Sequence, residues 1–441
     1  MPHFQTGFNF PILAFQFTLV LFLLKSFHFY LSHDFSISKL FSKIIFILLL
    51  AIHLIALFLV NYNKNELYIL WNRLGSGTMF ENDRLAYWGD LAHVFSALEC
   101  DTPILIGANL CDPWFRPFNQ NPHLIKFMDM ANITNFLVIG MLGILLFYGV
   151  FYKIMLIDSK NNLLYLALII SPPIVLALDR GNEIITFILI IFGIYFLRQD
   201  RWSQFIGGIL FSAAAFYKLW PICLIAMILV IAWRELNFSS KISLVAPIVY
   251  WFVNFNNALD MVENTDTGSP LGLSFGFNHY LNGSIPAKYV AFLCCLLGLI
   301  LLRYIIFIRR AGFHLVSSAF DQKIFLTLIG TYSLLWLFGT NYVYRLIILI
   351  PVALYISIFL QPRVIRLELL SLILVTFVTS RLAISTVLTS LLALIFILIC
   401  FIHLRRFLNE YPRFHNFVYR INKALSLLVV KKSPTTIITK K

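Results

Sequence analysis

Three short polar stretches break an otherwise apolar chain, and each carries a cation. They are Ala177-Leu178-Asp179-Arg180-Gly181-Asn182-Glu183, Phe216-Tyr217-Lys218-Leu219-Trp220-Pro221 and Thr340-Asn341-Tyr342-Val343-Tyr344-Arg345. Arg and Lys are natural partners of phosphate, Arg through a planar fork and Lys as a point charge. Arg180, Lys218 and Arg345 are therefore candidates to hold one anion together. The plainer account is a Gly turn in which Asp179 and Arg180 satisfy each other, with Lys218 and Arg345 reaching out to lipid headgroups. Ser or Asn would make such a turn at lower desolvation cost, which favours a functional role for the charges.

Other reactive residue types point less far. Cys223, Cys294, Cys295 and Cys400 lie in apolar runs and read as core residues. Cys100 and Cys111 share one long loop and form a candidate disulfide in an oxidising compartment. His93, His123 and His279 show no metal-ligand spacing. The Asn-x-Ser/Thr sites at Asn132, Asn237 and Asn282 are weak motifs.

The elements that must position these residues are set by composition. Of 441 residues, 60% are hydrophobic, 16% aromatic and only 12% charged, with a mean hydropathy of +0.85. A soluble globule carries about a quarter charged residues. Continuous apolar runs of about 17–25 residues match a hydrocarbon core about 30 Å thick, where helices satisfy their own backbone. The expected fold is all-α, a polytopic transmembrane helical bundle. Candidate spans fall near 11–30, 44–61, 134–152, 162–178, 184–198, 203–217, 219–233, 242–256, 287–308, 324–338, 342–360, 367–380 and 383–403. The first run lacks a basic flank and a small-residue cleavage site, so it reads as a retained span. No internal repeat or broken span is evident in the sequence.

The net charge of +14 fits basic cytoplasmic loops better than nucleic acid, because no polar segment carries a basic stripe with interleaved aromatics. Lys153, Lys160, Arg198, Arg201, Arg234, Lys241, Arg309, Arg310, Lys323, Arg363, Arg366, Arg405 and Arg406 all fall on one side of the expected bundle. The positive-inside rule makes that side cytoplasmic. The tail from Lys431 to Lys441 is basic and suited to anionic lipid. Two long loops face the other way. Residues 62–133 hold five Lys/Arg against eight Asp/Glu, and residues 257–286 hold Asp260, Glu263 and Asp266 with no Lys or Arg. Arg180, Lys218 and Arg345 fall on this outer side, where the chain otherwise avoids positive charge.

The first outer loop is too long for a connector. Its Leu85–Leu98 segment would place Trp88, Leu91 and Phe95 on one helical face, suited to the membrane interface.

Taken in order, Ser171-Pro172-Pro173, Ala177 to Asn182, Ala215 to Pro221, Cys111-Asp112-Pro113-Trp114-Phe115-Arg116-Pro117-Phe118-Asn119 and Asn341-Tyr342-Val343-Tyr344-Arg345-Leu346 resemble glycosyltransferase family 87. This is a family of multi-pass enzymes in the GT-C superfamily, and the resemblance spans roughly residues 60 to 350. It implies sugar transfer from a polyprenyl-phosphate donor to a lipid- or glycan-linked acceptor on the non-cytoplasmic side. It also implies a catalytic carboxylate in the first outer loop, near the start of an interfacial helix. Asp90, in Trp88-Gly89-Asp90-Leu91-Ala92-His93, matches best, with Asp83 and Asp112 in reserve. Two features depart from the pattern. The span 11–30 is additional, and Asn119-Gln120-Asn121-Pro122 stands where Asn-Tyr-Pro is more usual. The domain reading that follows is an extra N-terminal span over 1–43, a GT-C-like bundle over 44–408 and a basic tail over 409–441.

On that reading Asp90 is the base that takes the acceptor proton, and Arg180, Lys218 and Arg345 stabilise the departing lipid phosphate. Asp179 and Asn182 orient Arg180 or touch the sugar. The loop Ser274-Phe275-Gly276-Phe277-Asn278-His279-Tyr280 caps the cavity, with Asp112, Arg116, Asn278 and His279 as further acceptor or cavity residues. No cofactor is expected, and divalent-metal dependence is left open. The expected location is a bacterial inner membrane, with the site facing outward. The main rival is a transporter or flippase. A polysaccharide polymerase or ligase and a membrane scaffold follow.

Overall fold

The computed structural model describes residues 10–32, 39–62, 121–130, 136–263, 274–275, 314–315, 317–338, 341–380 and 385–409. The described chain is almost wholly helical. In order the helices are α1 (Phe10–Ser32), α2 (Lys39–Tyr62), α3 (Pro122–Met130), α4 (Phe136–Ile157), α5 (Asn162–Ile169), α6 (Pro172–Arg180), α7 (Asn182–Leu197), α8 (Arg201–Tyr217), α9 (Pro221–Ala232), α10 (Phe238–Val253), α11 (Phe255–Glu263), α12 (Ala319–Phe338), α13 (Leu349–Phe359), α14 (Arg363–Val378) and α15 (Ser385–Asn409). A 3₁₀ turn, Val343–Ile348, leads into α13. The four strands are two residues each and pair antiparallel: β1 (Ser274–Phe275) with β3 (Asn341–Tyr342), and β2 (His314–Leu315) with β4 (Leu360–Gln361).

Most of these helices fall on the expected apolar runs, but α3 lies in the stretch expected as the loop 62–133 and α11 almost wholly in the loop 257–286; the run 287–308 lies outside the described residues. Among the described residues three are long and apolar enough to cross a membrane, through Phe15–Ser32, Val138–Ile157 and Thr386–His403. The run expected as one span over 162–178 is instead two helices that meet at 67°. Ser171 is extended, and Pro172 opens α6. A proline after an extended residue starts a helix well and continues one badly, because it has no N–H to give. The apolar run hid this break, since hydropathy does not register a change of direction.

The bundle packs around α13 and α14, whose side chains are mostly buried. Aromatic residues fill the space between neighbours. Phe147, Phe151, Tyr165, Phe211, Phe325, Tyr332, Phe377 and Phe396 are all fully enclosed. Small residues let α7, α8 and α10 approach closely. A Cβ on Gly207 would lie 2.9 Å from both the Gly193 carbonyl oxygen and the Leu197 amide nitrogen. In apolar surroundings such close backbone contact is a principal source of helix association.

Polar groups gather at the two ends. At one end, Arg198 Nε lies 3.0 Å from Asp321 Oδ1, and Lys323 pairs with Glu235. Asp158 accepts from Tyr165 Oη at 2.7 Å, from Asn161 Nδ2 at 3.0 Å and from Ser357 Oγ. Arg366 Nη1 reaches the Ser357 carbonyl at 3.3 Å. Asp200 caps α8 by accepting the Trp202 and Ser203 amides, and these bonds, those of Ser203 foremost, hold its carboxyl below the usual range. Asn237 caps α10 and donates to the Arg201 carbonyl at 2.7 Å, which ties the starts of α8 and α10 together. α1 docks on α14 at this end, where Arg363 Nη2 donates to the Ser32 carbonyl at 3.0 Å.

Candidate functional site

The three polar stretches meet at the other end. Helix α6 stops at Arg180 because Gly181 adopts φ 79°, a left-handed conformation open to glycine. Helix α7 then begins at once, which puts Glu183 in its first turn. The 3₁₀ turn bearing Arg345 packs against both α6 and α7. Helix α8 ends where Lys218 becomes extended, and Trp220-Pro221 opens α9. The indole Nε1 of Trp220 donates to Glu183 Oε2 at 3.1 Å, and Arg345 Nε lies 3.7 Å from Glu183 Oε1. One carboxylate thus joins all three stretches.

Glu183 is completely buried, whereas the Arg345 side chain keeps 18% of its surface exposed. Burying a carboxylate in an apolar bundle is costly unless charge and hydrogen bonds compensate. Three features do so here: the guanidinium, the indole N–H and the positive end of the α7 dipole. Oε1 makes no hydrogen bond among the described residues. Arg345 thus faces the buried carboxylate with its buried Nε, and part of its side chain remains at the surface.

The surrounding chain is pinned to the same end. Asn121, fully buried, donates from Nδ2 to the Phe216 carbonyl at 3.0 Å and accepts the Tyr250 hydroxyl at 2.8 Å. It also accepts the His123 amide at 3.0 Å, which starts α3. Trp251 Nε1 donates to the Ala215 carbonyl at 2.9 Å. The end of the stretch 62–133 is thereby fastened to the backbone just before Lys218. The stretch 257–286 is fastened too, because Ser274 and Phe275 pair with Tyr342 and Asn341, a few residues before Arg345.

Of the residues expected from the sequence, Arg345 lies at this junction and half-buried Lys218 ends α8 within two residues of Trp220. Asp179 and Arg180 close α6 and Asn182 opens α7, so their backbone borders the same junction. Asp83, Asp90, Asp112, Arg116, Asn278, His279, Cys100, Cys111 and the Leu85–Leu98 segment lie outside the described residues, as does most of the 409–441 tail. Glu183, Trp220 and Asn121 were not singled out as contact residues. Glu183 did carry a signal, being the one charged side chain in the apolar run 182–197. Among the described residues no group of three or more His, Cys, Asp or Glu gathers as a metal site. Compared with protein-family models, curated proteins and solved structures, the chain matches none.

Proposed function

We propose that the chain is a multi-pass membrane glycosyltransferase of the GT-C type, with its site on the non-cytoplasmic face of a bacterial inner membrane. It moves a sugar, a hexose such as mannose, from a polyprenyl-phosphate donor to a lipid- or glycan-linked acceptor. The observation that carries this reading is the meeting of the three polar stretches at one carboxylate, at the end of the bundle away from the basic loops. Opposed polar ends also suit a chain that crosses the membrane many times.

In the proposed reaction an acceptor hydroxyl attacks the anomeric carbon and passes its proton to Asp90. The bond from that carbon to the phosphate oxygen breaks, and the electron pair leaves with the lipid phosphate. Arg345, Lys218 and Arg180 stabilise the charge that develops there. A single displacement inverts the anomeric configuration. The test is purified protein in lipid with a panel of polyprenyl-phosphate sugars, followed by release of lipid phosphate. Release with at least one donor is expected, and none with any donor rejects the reading.

One observation favours a second reading. The 67° break between α5 and α6 is the kind of interrupted helix that transporters place at a substrate site. A transporter or flippase of a lipid-linked or small polar substrate would move its substrate across proteoliposomes without any sugar transfer.

A further inference from the structure

We infer that the corner where α8 and α10 begin is a binding site for an anionic phospholipid of the adjoining leaflet, held there by its headgroup with its acyl chain laid along α10. The site is independent of sugar transfer and requires only that the bundle sits in a bilayer. Three helix ends meet at this corner. Asn237 donates from Nδ2 to the Arg201 carbonyl at 2.7 Å, and its backbone N–H donates to Gln204 Oε1 at 3.2 Å. Only residues 233–237 separate the end of α9 from the start of α10. Arg201, Trp202, Trp233, Arg234, Phe238 and Lys241 are thereby brought to one region, and all but half-buried Lys241 are exposed. Trp202 keeps 78% of its surface, Phe238 76% and Trp233 46%. Aromatic rings this bare suit the level of the headgroups, where an indole is part apolar and part wet.

The charge of the corner selects an anion. Over residues 200–204 and 233–241 the cations are Arg201, Arg234 and Lys241, and the anions are Asp200 and Glu235. Glu235 is matched by Lys323 from α12, so Asp200 alone stands against three cations, and it is engaged as the cap of α8. Lys241 Nζ is held 4.7 Å from the centre of the Trp233 ring, which presents an ammonium and an indole together. What runs on from the corner selects a lipid over a free anion. Phe238, Ile242, Ala246, Val249 and Val253 recur along α10 at spacings of three and four, and all are exposed. They form an apolar stripe about 22 Å long, longer than half of a hydrocarbon core about 30 Å thick. A phosphate at the cations thus has a bed for an acyl chain next to it.

Delipidated full-length protein in detergent is titrated with phosphatidylglycerol and, separately, with phosphatidylcholine, and bound lipid is counted by native mass spectrometry. Wild type is expected to retain phosphatidylglycerol in preference. Arg201→Gln combined with Lys241→Gln should weaken phosphatidylglycerol by about fivefold for each charge removed, the effect of one cation near an anionic surface, and leave phosphatidylcholine unchanged. Lys431→Gln with Lys432→Gln removes the same charge from the basic tail and should leave the preference as in wild type. Equal retention of the two lipids by wild type overturns the inference, as does a preference that survives in the folded double variant or is lost only with the tail. Arg201 meets Asn237 through its backbone, so Arg201→Gln alone spares that bond and decides where the double variant fails to fold. Excess inorganic phosphate should not displace the lipid, and displacement would make the corner a phosphate site instead. No arm uses a sugar donor, so failure here leaves the transferase reading standing, and absence of transfer leaves the lipid site standing.

Discussion

At the scale of single residues, the site sets one buried anion, Glu183, against Arg345, and variants should report that balance. Arg345→Ala would leave Glu183 buried without its counter-ion, which costs about 3–5 kcal/mol for a pair of this kind. Its thermal unfolding in detergent should fall steeply, and loss of transfer would follow from instability alone. Arg345→Lys keeps the charge and tests the fork. Trp220→Phe removes only the indole N–H and should cost about 1–3 kcal/mol by leaving a buried carboxylate oxygen unpaired. Asp90→Asn should abolish sugar transfer with normal protein yield and melting temperature, and retained turnover would remove Asp90 from the role of base. Arg345 stood out in sequence from its type and position, because an exception to a charge rule is visible there. Glu183 was harder to see as its partner. Its neighbours come from residues 37 and 162 positions further along the chain, and only the folded bundle shows which cation faces it.

At the scale of elements, continuous apolar runs located most of the helices, but not the more polar α3 and α11, which lie in stretches that read as loops. Breaks were less legible. Hydropathy ran unbroken from 162 to 178, while Ser171-Pro172 turned the chain. The pairing of β1 with β3 was invisible, because two-residue strands leave no periodic trace. Close packing of α7 on α8 depends on Gly207. Gly207→Leu would drive a side chain into the Gly193 carbonyl and the Leu197 amide, 2.9 Å from its Cβ. It should destabilise by about 1–3 kcal/mol through overpacking, measured by thermal unfolding.

For the whole molecule, the two polar ends make different demands. The end with Arg198–Asp321, Lys323–Glu235 and the Asp158 network holds basic residues that read as cytoplasmic. A cysteine introduced at exposed Trp202 should resist a membrane-impermeant thiol reagent in intact cells and react once the membrane is opened. One introduced at exposed Phe127 in α3 should react in intact cells. The reverse pattern would invert the topology and with it the side on which any transfer takes place.

The close contact between α7 and α8 has a rotational consequence. Glu183 and Gly193 share one helix, ten residues apart, so the glycine seam fixes the compass heading of the carboxylate about 15 Å further along the axis. Inserting a single alanine between them would leave every side chain present, yet swing Glu183 by about 100° and carry it about 1.5 Å along the helix. Arg345 would then face the wrong side of the helix. The seam is a clock face, and the chemistry reads its hour.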